Sequence, residues 1–90
     1  ERVYTYSGFE LYTYELDGTD YVASIVFLDD SVVTKEGIYL YSTYAEVIAA
    51  YGEGYTKTFN LYSYESGKSK LAFLIEDDHV TSIEYIAILQ

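Results

Sequence analysis

Two-residue turn signals set between short β-rich runs constrain this chain more than any other feature. Ser7-Gly8, Asp17-Gly18, Ser66-Gly67 and Asp77-Asp78 each sit between segments rich in Val, Ile, Thr, Tyr and Phe. Connections this tight join antiparallel neighbours, because a parallel pair needs a crossover of a dozen or more residues. The strands predicted span 3–6, 9–16, 21–28, 59–65, 70–76 and 80–89. In the second, Phe9, Leu11 and Thr13 share one face and Tyr12, Tyr14 and Leu16 the other. The third is apolar on both faces, which suits a central position. The run Tyr85-Ile86-Ala87-Ile88-Leu89 is also apolar on both faces. It suits either an edge that invites a partner or a central strand buried on both sides.

One segment has the helical period instead. Thr43 with Glu46 three residues later forms a capping-box signature. Tyr44, Val47, Ile48 and Tyr51 follow as an apolar stripe. Gly52 stands where a helix end requires positive φ. A helix over 43–51 is therefore predicted, followed by a loop over 53–58. The fold class expected is α+β: an antiparallel sheet of five or six strands in the order β-β-β-α-β-β-β, with one short helix on one face. Residues 1–90 are expected to form a single domain, which at this size buries about 60–65% of its unfolded surface. A weak repeat supports two similar hairpins flanking the helix, since Leu11-Tyr12-Thr13-Tyr14-Glu15 matches Leu61-Tyr62-Ser63-Tyr64-Glu65.

Charge and composition narrow the function classes. Fifteen acids against five bases give a net charge of −10, which repels a phosphate backbone and anionic membranes and favours a basic partner. No apolar run reaches the ~18 residues of a membrane span, and the chain opens on Glu1-Arg2-Val3 with no signal peptide expected. With no cysteine, thiolate chemistry and disulfides are excluded. Proline, methionine and tryptophan are absent too, where average usage would supply roughly four prolines. Thirteen residues are tyrosine.

Residues Thr34, Gly37-Ile38, Ser42-Thr43, Glu46-Val47, Tyr51-Gly52, Tyr64, Leu71, Phe73 and Val80-Thr81-Ser82-Ile83 form a further pattern. It resembles uncharacterised lipoproteins of Gram-positive gut bacteria and, more loosely, the β-lactamase-inhibitor-protein-like fold. Tyr4-Thr5-Tyr6 to Tyr14 with Asp17-Gly18 extends the likeness over nearly the whole chain. The resemblance implies a short helical element on an antiparallel sheet, and a fold far more than a function. Two departures stand out. The family pattern favours a small residue before the capping serine, where this chain has Tyr41, and the lipobox cysteine and linker are missing. Both suit a scaffold resurfaced for binding.

No catalytic constellation emerges. His79 is the sole histidine, in the Asp77-Asp78-His79 turn, without an evident nucleophile. The acids Asp17/Asp20, Asp29-Asp30 and Glu76-Asp77-Asp78 lack calcium-loop spacing, and zinc is disfavoured by one His and no Cys. Gly52-Glu53-Gly54 follows a helix rather than a strand, so it is a cap and turn and not a nucleotide fingerprint. No cofactor and no enzyme activity are expected. Tyr12, Tyr14, Tyr62 and Tyr64 share face parity and suit a ladder across the sheet. Tyr44 and Tyr51 lie on the helix stripe at core or boundary positions. Tyr39, Tyr41 and Tyr55 lie near loops and are expected to be largely exposed, where tyrosine gives rigid contact area at low entropy cost. The expected site is thus a protein-binding surface of Tyr39, Tyr41, Tyr44 and Tyr55. The function expected is a non-enzymatic binding module, engineered on a lipoprotein-type scaffold. The alternative is a natural accessory or inhibitor-like domain, extracellular or anchored in a Gram-positive cell envelope.

Overall fold

A computed structural model describes residues 2–87. They form mostly antiparallel sheet with one short helix. Strands β1 (Arg2–Tyr6), β2 (Phe9–Leu16) and β3 (Thr19–Phe27) precede helix α1 (Tyr44–Tyr51), and β4 (Thr56–Thr58), β5 (Leu61–Ser66), β6 (Ser69–Glu76) and β7 (His79–Ala87) follow it. All seven belong to one sheet in the order β1-β2-β3-β7-β6-β5-β4, each neighbouring pair antiparallel.

Seven strands correct the expected five or six, and the chain order becomes β-β-β-α-β-β-β-β. The addition is β4, inside the expected 53–58 loop. Thr56-Lys57-Thr58 pairs with Ser63, Tyr62 and Leu61, so Phe59-Asn60 is a turn and not the start of a strand. Three polar residues carry no alternation from which a strand could be read. The β5–β6 turn is Gly67-Lys68, one residue later than expected, because Ser66 already pairs with Ser69. Strand β7 is central, between β3 and β6; Ile88 and Leu89 of the expected strand lie outside the described residues.

Strand β3 pairs with β2 along its whole length, but with β7 only through Ser24, Ile25 and Val26. A bulge leaves Ala23 unopposed. The first half of β3 is exposed, which is why an apolar run does not bury both faces here. The expected ladder of Tyr12, Tyr14, Tyr62 and Tyr64 does not form. Three strands, β3, β7 and β6, separate β2 from β5.

One face carries the core. Val47 of α1 is fully buried against a cluster that includes Phe73, Val80, Ile83, Leu71, Ile75 and Phe27. The long connection over 28–43 adds Ile38 and Leu40, both buried. Its path is fixed by polar groups turned inward. The buried Thr34 hydroxyl accepts from the Ile38 amide at 3.0 Å, and the buried Ser42 hydroxyl accepts from the Tyr39 amide at 3.1 Å. Gly8 lets that connection approach. A Cβ there would meet Val32 Cγ2 at 2.8 Å, and the Gly8 carbonyl accepts from Leu28 N at 2.7 Å.

Helix α1 has eight residues, too few to persist alone, so its ends and its buried face decide its stability. Thr43 is the N-cap. Its hydroxyl accepts from the Glu46 amide at 3.2 Å, and the Glu46 carboxylate accepts from the Thr43 amide at 2.8 Å. Gly52 ends the helix at φ 84°, its N–H donating to the Ile48 carbonyl. Thr43→Ala removes one partner of the reciprocal cap and is expected to lower unfolding free energy by about 0.5–2 kcal/mol. Chemical denaturation reads this; an unchanged midpoint contradicts the cap's contribution.

Candidate binding surface

Backbone pairing builds one end of the sheet. The first half of β7 is not paired by β3, and the segment before α1 takes that place. The Tyr41 amide donates to the Val80 carbonyl at 2.7 Å and the Val80 amide to the Ser42 carbonyl at 2.8 Å. Thr43 bridges His79, and the Tyr44 amide donates to the Asp78 carbonyl at 3.1 Å. On the other side Val80 pairs with Ile75 of β6, whose amide donates to the Asn60 carbonyl at 2.9 Å. Segment 41–43, β7, β6 and the Phe59-Asn60 turn therefore lie side by side. Three interstrand steps span about 14 Å at the usual ~4.8 Å spacing.

Tyr41 and Phe59 stand at the two sides of this end. Their exposures are 62% and 91%, the highest of any large apolar residue among those described. Both also have positive φ, 81° and 55°. The other non-glycine residues with positive φ among those described are Asp17, Asp77 and Asp78, a type that tolerates this region in tight turns. A bulky aromatic does not, at a cost of order 1–3 kcal/mol. The β5–β6 hairpin shows the ordinary solution, with Gly67 at φ 59° in the first turn position. Phe59 occupies the corresponding position of the β4–β5 hairpin.

The expected site residues divide into two groups. Tyr39 and Tyr41 are exposed beside the buried Ile38 and Leu40, and no ring contact among the described residues ties them down. Tyr44 and Tyr55 are half-buried, which corrects the expectation that Tyr55 is largely exposed. Their hydroxyls lie 3.1 Å apart. Tyr55 packs edge-on to Tyr62 at 4.9 Å and to Tyr64 at 5.9 Å, and Tyr44 meets Tyr62 at 5.7 Å. The Tyr64 hydroxyl donates to the Gly52 carbonyl at 2.8 Å, while Tyr51 packs on Tyr64 and Phe73. These rings fasten α1 and the loop after it to β5. Lys57 sits 5.3 Å over the outer Tyr62 ring, within cation–π reach.

Phe59 was missed by sequence reasoning because an aromatic followed by Asn60, Leu61 and Tyr62 reads as the start of a strand. The available signal was Asn60, a turn former, two residues after the β-forming Thr58.

Carboxylates occupy the same end. Asp77 and Asp78 form the β6–β7 turn between the two aromatics, Glu76 ends β6 beside it, and the Glu46 carboxylate closes the helix cap at Thr43. His79 is exposed, its Nδ1 2.9 Å from the Asp77 carbonyl oxygen. No group of three His, Asp or Glu side chains placed to hold a metal occurs among the described residues. A separate cleft of about 370 Å³ lies among Lys35, Glu36, Tyr51, Tyr64, Leu71 and Tyr85. Compared with protein-family models, curated proteins and solved structures, the chain matches none.

The hydrogen bond to Tyr55, helped by burial and neighbouring phenols, pushes the Tyr44 phenol up to about 12. Burial pushes Tyr51 and Tyr64 up as well. A phenol whose folded value exceeds the unfolded ~10 contributes stability that is intact below pH ~10. That stability is lost as pH rises through the folded value. The melting temperature is expected to fall from about pH 10 toward pH 12, in step with the last phenolate absorbance. A flat midpoint across this window contradicts the packed-phenol account.

Strain at the hairpin tip is testable separately. Phe59→Gly relieves the positive φ and is expected to raise stability by up to about 1 kcal/mol. A lower denaturation midpoint would show that the Phe59 ring contributes to folding.

Proposed function

We propose that this chain is a non-enzymatic protein-binding module that engages its partner end-on. Tyr39, Tyr41 and Phe59 make the contact, and the half-buried Tyr44 and Tyr55 brace the helix behind them. One observation carries the reading. Tyr41 and Phe59 are at once the most exposed large apolar residues among those described and aromatics at positive φ. Each feature opposes solubility or stability, so their coincidence at one end of the sheet points to a role outside folding. Burying an exposed tyrosine while its hydroxyl stays at the rim is a common interface contribution. The carboxylates between the two rings favour a basic rim on the partner and faster encounter with it.

The chain's origin belongs to the proposal too. Four absent residue types and Tyr41 at a small-residue position support an engineered binder on a lipoprotein-type scaffold. The nearly full-length resemblance supports the second reading, a natural accessory or inhibitor-like domain of a Gram-positive cell envelope.

Photocrosslinking tests the surface. A benzophenone side chain is placed singly at positions 41, 59 and 14, the last lying on β2, far from this end. Crosslinks to one defined partner are expected at 41 and 59 and not at 14. Unlabelled protein should compete, and a Tyr41→Ala/Phe59→Ala variant should not. Once the partner is in hand, Tyr41→Ala is expected to cost at least ~2 kcal/mol of binding without loss of melting temperature. Equal crosslinking at all three positions, or unfolding of Tyr41→Ala, contradicts the proposal.

A further inference from the structure

We propose that β1 is a self-association edge, at which two copies of this chain pair antiparallel into one continuous sheet. The strand lies at the border of the sheet, and all five of its residues, Arg2 to Tyr6, are exposed. Edges of this kind are normally blunted by short length, charge, proline or a bulge. Strand β1 has neither proline nor a bulge. Its register with β2 is unbroken from Arg2↔Thr13 to Tyr6↔Phe9, and the chain contains no proline. Its single charge, Arg2, already faces Asp20 at 3.3 Å. The opposite border, β4, is protected in the usual way, with three residues and Lys57 at its centre.

Symmetry selects the register. Directly opposed residues on antiparallel strands point to the same face. A two-fold axis normal to the sheet then requires the numbers of opposed residues to sum to an even value. The register that pairs all five residues is the one centred on Tyr4, which faces its own copy. Val3 then opposes Thr5 of the second copy, joining two β-branched side chains. Arg2 opposes Tyr6 of the second copy, setting a guanidinium against a ring that stacks on Phe9 at 4.9 Å. The pairing is made twice by symmetry, and each member suits the chemistry of the other. A foreign strand would need this match by coincidence, whereas a second copy has it by construction.

The area joined is that of one short strand pair, below the size of a stable interface, so association is weak and concentration-dependent. The charge of −10 on each copy opposes it, and salt screens that repulsion. Added salt therefore tightens the pair. It would instead loosen a complex with a basic foreign strand. Because the axis is normal to the sheet, the Tyr41–Phe59 ends of the two copies point in opposite directions and stay open.

Sedimentation equilibrium over a concentration series, at low and at physiological salt, tests the pairing. The expected result is a monomer–dimer equilibrium that tightens with salt. Tyr4→Lys and Tyr4→Glu each set like charges across the axis and are expected to weaken dimerisation about tenfold. An equimolar mixture of the two should restore it, since only the Tyr4-centred register opposes position 4 to itself. Melting curves check that the variants fold. On the unsubstituted protein, amide exchange over 3–5 should slow as concentration rises. A monomer at every concentration and salt, dimerisation of Tyr4→Lys equal to the parent, or exchange independent of concentration overturns the proposal.

Discussion

The short ladder between the pre-helix segment and β7 is the constraint on which the rest of this structure depends. Tyr41 N to Val80 O and Val80 N to Ser42 O, at 2.7 and 2.8 Å, fill the place that β3 leaves open. Three consequences follow from it. The connection over 28–43 is drawn across the sheet, so Ile38 and Leu40 enter the core. Thr43 is delivered to the position from which it caps α1. Tyr41 is forced to positive φ between two residues whose direction is already set, Leu40 inward and Ser42 bonded to β7. Its ring has no inward path and remains in solvent.

That geometry separates two uses of tyrosine in one chain. Around α1 the rings of Tyr44, Tyr51, Tyr55, Tyr62 and Tyr64 replace part of an aliphatic core. They pack edge-on or tilted; the Tyr44 and Tyr55 hydroxyls meet each other, and the Tyr64 hydroxyl donates to the Gly52 carbonyl. A helix of two turns needs such broad side chains to reach the sheet, because Val47 is its one fully buried residue. Tyr39 and Tyr41 take no part in this packing. Composition alone cannot make the distinction, since the same residue type serves both purposes.

What was legible in the sequence was local. The helix, its cap and its end are written within ten consecutive residues, and the turn at Asp17-Gly18 needs positive φ that only a few residue types tolerate. The order of strands is not local. The expected tyrosine ladder failed because parity along a strand says which face a residue takes but not which strands are neighbours. The first half of β3 carries an apolar pattern that a pairing limited to three residues with β7 leaves uncovered. Tyr55 sits in a loop by sequence, yet the rings of β5 draw it into the packed group. Phe59 is the sharpest case. Its β propensity is real, but the three-residue β4 consumes the residues before it and leaves it at the tip of a turn.

Strain and exposure reside in the same two aromatic residues, Tyr41 and Phe59. Nuclear magnetic resonance in solution measures both together, through intraresidue amide–α-proton contacts and ring-proton relaxation by a soluble paramagnetic probe. The predicted result is a strong intraresidue contact at Tyr41 and Phe59, as positive φ requires, with both rings strongly relaxed. Negative φ at either residue, or a ring shielded from the probe in the monomer, would contradict the central claim.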